Sequence, residues 1–278
     1  MSADDGTASQ QGEGLRTFKL TLSYDGTSYF GWQVQPGLPT IQGELQEALG
    51  RVTGESPLPQ GSGRTDAGVH ALAQVASFQL AAPIPADNLL RALNRTLPGA
   101  IRATQIEVVP ETFHARHSAI AKSYEYRIFR GEICPPFMYP FVYSYHKRLN
   151  FEDLMLSATV FAGQHDFRSF AAIDPELNAR EANAEGEAVE TPNNVRTVFS
   201  SAWERQNLEA GELWIYRVRG NGFLHHMVRN LVGSMIDVGR GFISVERLRE
   251  ILDLRQRSLA GPTAPASGLF LSSVEYTG

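Results

Sequence analysis

The sequence predicts an α+β protein built from two halves, with antiparallel or mixed sheets carrying helices. Three observations lead there. Apolar residues recur at period two in some stretches and at steps of three or four in others, the signatures of strands and helices. The two kinds of stretch alternate in each half of the chain, and Gly and Pro turns punctuate them. No stretch repeats residue by residue, so any duplication between the halves would be structural only.

The N-terminal residues, 1–16, are polar, Gly- and Gln-rich and aperiodic, which reads as a disordered tail. Residues 17–115 form the first half. Phe18 to Tyr24 reads as a strand, and Ile41, Leu45, Ala48, Leu49 and Val52 share one helical face. Ala71 to Leu80 returns as a strand. Leu89, Leu90, Leu93 and Leu97 mark a second helix stopped by Pro98-Gly99, and Ile101 to Val109 is another strand.

Residues 116–278 form the second half. Ser123 to Phe129 reads as a strand, and Asn150 caps a helix carrying Leu154, Ala158 and Phe161. Val195 to Trp203 and Leu213 to Arg219 suit a hairpin. Helices are expected at Phe223 to Val238 and Ser244 to Leu254, and a last strand at Leu269 to Tyr276.

The chain has 278 residues, 42% of them hydrophobic and 20% charged, enough to bury one large core or two medium ones. No apolar run approaches the roughly 20 residues that cross a bilayer, and the start of the chain lacks the basic and apolar segments of a signal peptide. A cytoplasmic protein with no membrane attachment is expected. The single cysteine, Cys134 between Ile133 and Pro135, allows no internal disulfide and no cysteine-based zinc site, and reads as a loop or packing thiol.

The formal net charge of -5 has a local source. Residues 171–194 hold six acids against the single base Arg180, which accounts for the whole imbalance. The rest of the chain is neutral, and a neutral body can still carry a basic groove.

Chemistry is expected at Gly61-Ser-Gly-Arg-Thr-Asp-Ala-Gly-Val-His70, which packs three glycines, an arginine and an aspartate between a Pro-rich turn and a strand. Glycines let backbone approach a ligand closely. The segment lacks the Gly-Lys-Ser/Thr of a phosphate-binding loop and the third glycine of a dinucleotide fingerprint. Its residues alone also fit a purely structural turn, with Arg64 and Asp66 tying the loop.

Within the helix expected at Phe223 to Val238, the residues His226, Arg229, Asn230, Gly233 and Asp237 fall at steps of three or four on an otherwise apolar surface. Such a stripe must face something polar. An internal network, with Arg229 on Asp237, and an aspartate in a cleft are both open as partners. Adjacent His225 and His226 would point about 100° apart on a helix and have no i+4 histidine, so no metal site is expected there. The stretch Phe113, His114, Ala115, Arg116, His117, followed by Lys122, Arg127 and Arg130 with Tyr124 and Tyr126 interleaved, suits RNA but also suits an ordinary strand.

Together these segments resemble the tRNA pseudouridine synthase A (TruA) family. The resemblance runs from Leu22-Ser-Tyr-Asp-Gly-Thr-Ser-Tyr-Phe-Gly-Trp32 through Gly63-Arg-Thr-Asp-Ala-Gly-Val-His70, Asn94-Arg-Thr-Leu-Pro-Gly99, Phe113-His-Ala-Arg116 and Ser123-Tyr-Glu-Tyr-Arg127. It resumes at Gly163-Gln-His-Asp-Phe-Arg-Ser-Phe170, Asn221-Gly-Phe-Leu-His-His-Met-Val-Arg-Asn-Leu-Val-Gly233 and Gly268-Leu-Phe-Leu271.

The resemblance implies two ferredoxin-like halves around a central RNA-binding cleft, and isomerisation of uridine to pseudouridine in the anticodon stem-loop of tRNA. It implies a homodimer and neither cofactor nor metal. It makes Asp66 the catalytic carboxylate, Tyr124 the aromatic against the target base, Arg229 the partner of the carboxylate, and Arg64 a stabiliser of the flipped state. Leu269 would pack on the uracil, and residues 113–117 would lie along bound tRNA. The acidic segment 171–194 departs from the family pattern where such proteins meet tRNA.

The reaction explains the residue types. Breaking the bond from C1′ to N1 builds positive charge on the sugar, which a carboxylate can stabilise or trap. A carboxylate beneath a flipped base needs a nearby cation, so an ion pair between Asp66 and Arg229 is expected. Whether Asp66 attacks the sugar, attacks the ring or removes a proton is open in the sequence. Two rivals were weighed. An aspartic hydrolase would need a second carboxylate turn, and a non-catalytic tRNA chaperone would not need Asp66.

Overall fold

The computed structural model describes residues 14–172 and 193–277. Ten strands form one mixed sheet, ordered β4-β1-β3-β10-β5-β9-β8-β7, with two-residue strands β2 and β6 pairing off β3 and β5. The strands are β1 (Arg16–Tyr24), β2 (Gln60–Gly61), β3 (His70–Leu80), β4 (Ile101–Val109), β5 (Ala119–Arg130), β6 (Tyr143–Ser144), β7 (Gly163–Asp166), β8 (Val195–Leu208), β9 (Gly211–Gly220) and β10 (Leu269–Tyr276). The five α-helices among the described residues are α1 (Ile41–Thr53), α2 (Ala86–Thr96), α3 (Phe151–Thr159), α4 (Met227–Gly239) and α5 (Val245–Leu254).

Local chemistry sets most of these boundaries. Thr40 caps α1 by accepting from the Gly43 amide, and Gly54 ends it in the left-handed region at φ 79°. Asn150 caps α3, accepting from the amides of Glu152 and Asp153, a cap worth ~1 kcal/mol. The hairpin of β8 and β9 runs past the expected strands, with pairing continuing to Leu208 opposite Gly211. Residues 204–207 are exposed and polar, so the apolar alternation stops while the backbone ladder goes on. Strands β2, β6 and β7 were not expected, being too short for a periodic signal.

One expectation needs correcting. The helix predicted from Phe223 begins at Met227, because His226 sits in the left-handed region at φ 57° and Asn221 to His225 form the turn leading into it. The polar stripe divides accordingly. Asn230 is buried and donates to the Phe170 carbonyl, while its side-chain oxygen accepts from Arg257 and Thr263. Asp237 lies by Arg240 rather than by Arg229. At Gly233 an added Cβ would lie 1.7 Å from the Pro262 carbonyl oxygen, so glycine is needed for the strap of residues 260–266 to close on α4.

The last strand joins the two parts of the chain. β10 pairs in parallel with β3, Phe270 opposite His70 and Leu271 opposite Ala71, and antiparallel with β5, Leu271 opposite Tyr124. The start of β3 and the middle of β5 are thereby held one strand apart. A contiguous core runs through both parts, with Trp32, Tyr126, Phe161, Phe167 and Tyr216 fully buried within it. Among the described residues no helix is long and apolar enough to cross a membrane. Residues 1–13 and most of the acidic segment, 173–192, lie outside the described residues; of the expected tail, Arg16 already belongs to β1.

The segment 61–69 is clamped from beneath by the turn after β1. Trp32 donates its amide to the Thr65 carbonyl at 3.0 Å, and Gly68 donates to the Tyr29 carbonyl at 3.1 Å. Gly31 adopts φ 85°, and a Cβ there would stand 2.4 Å from the Thr65 oxygen. Gly31→Ala is therefore expected to destabilise the protein by more than ~1 kcal/mol, through both left-handed strain and the clash. Its denaturation midpoint should fall together with its turnover; an unchanged midpoint would show that the clamp is not rigid.

Candidate active site

Asp66 occupies the loop between β2 and β3, one residue after a tethered threonine. The Thr65 hydroxyl is 2.8 Å from the buried Tyr24 hydroxyl. Ser62 lies 2.6 Å from Gln74 Oε1, and Gln74 donates to the Gly63 carbonyl at 2.9 Å. Burial pushes the Tyr24 hydroxyl up to about 12, so it stays a neutral hydrogen-bonding group at physiological pH. At the far end of the loop, buried His70 accepts from the Gly26 amide at 3.1 Å through Nδ1. That leaves Nε2 as the protonated nitrogen, 3.1 Å from the Pro140 carbonyl, and burial lowers this ring below the ordinary histidine value. The loop is thus fixed at both ends by buried polar contacts, and Asp66 projects from a rigid frame.

Three side chains from the start of α4 surround the carboxylate. Arg229 Nη1 donates to Asp66 Oδ2 at 2.9 Å, giving the ion pair expected from the sequence. Its Nε donates to the Ala264 carbonyl at 2.8 Å, and the Arg229 carbonyl accepts from the Ala264 amide. The guanidinium is thereby oriented before any ligand arrives. His226 Nε2 lies 3.4 Å from Oδ2 and His225 Nε2 3.6 Å from Oδ1, the two rings tilted by 35° with centroids 4.0 Å apart. Burial lowers the His226 imidazole, with the Asp66 charge opposing. The left-handed backbone at His226 is what lets both rings face one carboxylate.

This corrects the argument that adjacent histidines must diverge: these two precede the helix, and helical geometry does not govern them. Asp66, His225 and His226 offer ligand atoms within 4.8 Å of one another, a spacing that could hold a metal ion. Arg229 already donates to Oδ2, so an ion there would stand beside a fixed guanidinium and be repelled by it.

Asp66 opens into a pocket of about 300 Å³. Tyr124, Leu269 and Phe223 form apolar wall, with Tyr124 meeting Phe223 edge to face at 5.1 Å. Burial raises the Tyr124 hydroxyl further above its ordinary value than that of Tyr24, and the Asp66 charge adds to it, so this residue too is neutral. Arg64, exposed at the rim, lines the pocket with His114, Arg116, His117 and Lys122.

The segment 113–117 is divided by the fold. Phe113 packs on Tyr276 with centroids 5.0 Å apart, and Ala115 is fully buried, its amide donating to Ser77 Oγ and its carbonyl accepting from the Tyr276 hydroxyl. These two anchor the segment, and His114, Arg116 and His117, between and beyond them, line the pocket. Of the cations along β5, Lys122 lines it, whereas Arg127 pairs with Glu125 and stacks on Phe270. Trp32, Gln42 and Gln60 also line the pocket. Nothing in their spacing marks them, since Trp32 reaches the site only because a glycine at 61 leaves room for its ring.

An α+β fold with one arginine-paired carboxylate, flanked by an aromatic wall and a basic rim, defines a class of site suited to charge stabilisation on a bound polyanion. A family model described as tRNA pseudouridine synthase matches residues 21–118 and 158–277. A tRNA pseudouridine synthase A of Solibacter usitatus is 50% identical over 262 residues, covering 94% of this chain and 100% of that protein. Others from Lacticaseibacillus casei and Moorella thermoacetica are 40% and 41% identical, over 99% and 98% of their lengths. The chain belongs to the tRNA pseudouridine synthase family.

Arg229→Ala is expected to lower single-turnover rate on the order of 10²-fold, the usual cost of losing one preorganised charge-stabilising donor, while tRNA affinity changes only a few-fold. Arg229→Lys should recover part of the rate, since a point charge cannot hold both Asp66 and the Ala264 carbonyl. A proportional fall in affinity would place Arg229 in binding instead.

Proposed function

We propose that this protein isomerises uridine to pseudouridine in tRNA, at the anticodon stem-loop, with Asp66 as the catalytic carboxylate. The observation that carries the reading is the carboxylate held at 2.9 Å by Arg229 at one end of a pocket walled by Tyr124 and Leu269. Family membership supplies the substrate class.

The residues divide the work as follows. A base in a stem is unreachable, so it is extruded, and the unstacking cost of a few kcal/mol is offset by contacts in the pocket. Tyr124 and Leu269 supply apolar faces for the uracil, and Arg64 at the rim steadies the opened strand. As the bond from C1′ to N1 breaks, positive charge grows on the sugar, and the Asp66 carboxylate stabilises it or bonds to it. The uracil then turns within the pocket and joins C1′ through C5. The C5 proton leaves and a proton returns to N1, so the product is an isomer and the reaction consumes nothing. For that reason the proposal includes no cofactor and no metal.

The three strands β4-β1-β3 and the group β10-β5-β9-β8, joined by the single parallel pair of β3 and β10, support a reading as two ferredoxin-like halves, residues 17–115 and 116–278, with RNA lying across a central cleft at their junction. His114, Arg116 and His117 would meet its backbone there, with Phe113 and Ala115 positioning them. A homodimer sharing each tRNA, working in the cytoplasm, completes the proposal.

Pseudouridine mapping on an unmodified tRNA transcript, with protein stripped by a chelator and no added cofactor, should find product in the anticodon arm from the wild type and none from Asp66→Asn. No product from either across several tRNAs would overturn the proposal in favour of a non-catalytic RNA-binding role. Sedimentation at micromolar concentration should give a dimer; a monomer that retains full activity would remove the shared-tRNA part.

A further inference from the structure

Several cations of the sheet pair with carboxylates. Arg127 and Arg217 share Glu125, Arg217 also meets Glu204, and Arg219 forms a two-bond pair with Glu275. Another group near the pocket is arranged differently. Lys122 of β5, Arg116 of the preceding segment and Arg196 of β8 lie close enough for their like charges to act on one another, and among the described residues none of the three forms an ion pair.

Lys122 is half-buried and donates one hydrogen bond, to the Ser62 carbonyl, beside Gly63, where an added Cβ would come within 3.1 Å of Nζ. An ammonium has three donors, so two remain. The Arg196 guanidinium spends its Nη1 on the carbonyls of Asn193 and Val195, within its own strand and the residues just before it. Arg116 is exposed, and His114 and His117 stand next to it with ring centroids 4.4 Å apart. Gathering three cations, two of them on the pocket wall, without a counter-charge among the described residues costs free energy unless a ligand supplies the anion.

We propose that Lys122 and Arg116, on the wall of the pocket that holds Asp66, form with the neighbouring Arg196 a phosphate subsite that takes one backbone phosphodiester of the RNA strand bearing the target nucleotide. The inference rests on the RNA-modifying reading above and assigns it a specific anchor. A phosphodiester suits the site better than a carboxylate ligand because it presents several acceptor oxygens to a lysine and two guanidinium groups arriving from different elements. Anchoring the strand there would fix the sugar beneath the extruded base relative to Asp66, which sits on the loop that Lys122 grips through Ser62.

The subsite has a pH signature. Burial, then the charges of Arg116 and Arg196, bring the free Lys122 ammonium down to about 8. Among the described residues, Arg116 and Arg196 act on it, His114, His117 and the Asp66 carboxylate line the pocket with it, and the Ser62 carbonyl accepts its hydrogen bond. Only the protonated lysine binds phosphate well, so affinity is full below about 8 and is lost as pH rises past it. Phosphate binding raises the lysine again, so RNA binding at that pH takes up a proton.

The test measures binding of one unmodified tRNA to the full chain in the Asp66→Asn background, from pH 7 to 9.5 and over a range of salt. The expected result is a loss of affinity of roughly 10-fold between pH 7.5 and 9, as nine-tenths of a group titrating near 8 discharges. Lys122→Gln should bind more weakly at pH 7.5, show a flatter pH response, and have a salt slope shallower by about 0.7 to 0.9, one phosphate contact. Arg116→Gln should lose the same slope increment. Because background titrations of RNA and protein are common to both proteins, equal pH responses and equal salt slopes in wild type and Lys122→Gln would overturn the subsite. Calorimetry of wild-type binding in two buffers at pH 8.5 gives a second reading without substitution, and absence of proton uptake would also overturn it. Pseudouridine mapping separates the two proposals: pH-linked binding without product would sink the reaction and leave the subsite, and product with no pH linkage would do the reverse.

Discussion

The ion pair between Asp66 and Arg229 is the constraint on which the rest of the site depends. It joins a loop near the start of the chain to a helix near its end, 163 residues apart. An aspartate beneath a ligand loses solvent, and its charge is tolerable only where a cation is already in place. Arg229 is in place because its Nε is spent on the Ala264 carbonyl, which returns the bond through the Ala264 amide to the Arg229 carbonyl. The strap around Pro262 can lie that close to α4 only because residue 233 has no side chain. A backbone packing detail therefore sets the direction of the charge that the carboxylate needs.

The other side of the pair is equally fixed. Thr65 is tied to Tyr24, the backbone of residues 65–68 to the turn at 29–32, and His70 to Gly26. These contacts are buried and polar, so each is stronger than at the surface and costly to leave unmade. β10 then sets the distance between this loop and Tyr124, since it pairs with both β3 and β5. Charge stabilisation of a short-lived sugar cation depends on such preorganisation, because the groups must already point where charge will develop.

Electrostatics also resolves the acidic composition. A net charge of -5 is poor for a protein that meets RNA, but the excess falls in residues 171–194. Around the pocket the balance is reversed: among the described residues Arg64, Arg116 and Lys122 line it against the single carboxylate of Asp66. Elsewhere on the sheet, Arg127, Arg217 and Arg219 are neutralised by Glu125, Glu204 and Glu275. The arrangement concentrates positive potential where a polyanion would lie, which net charge alone does not reveal.

The sequence by itself determined the α+β class, most strands and helices and the Asp66 loop, because these rest on local periodicity, caps, glycine-rich turns and motif residues, whereas the partnership of Asp66 with Arg229 followed only from the family resemblance and the reaction it implies. It misplaced the start of α4, and with it the two histidines, because the left-handed turn at His226 leaves no mark in a run that is apolar on both sides. It treated Phe113 to His117 as one binding stretch, whereas burial of Ala115 and stacking of Phe113 separate anchors from pocket residues. Only the tertiary structure decided which cations are neutralised and which are not, and that Trp32, Lys122, Tyr124 and Leu269 share one pocket. The physical reason is that charge compensation and cavity shape depend on distances across strands and between distant segments, and such distances have no period along the chain.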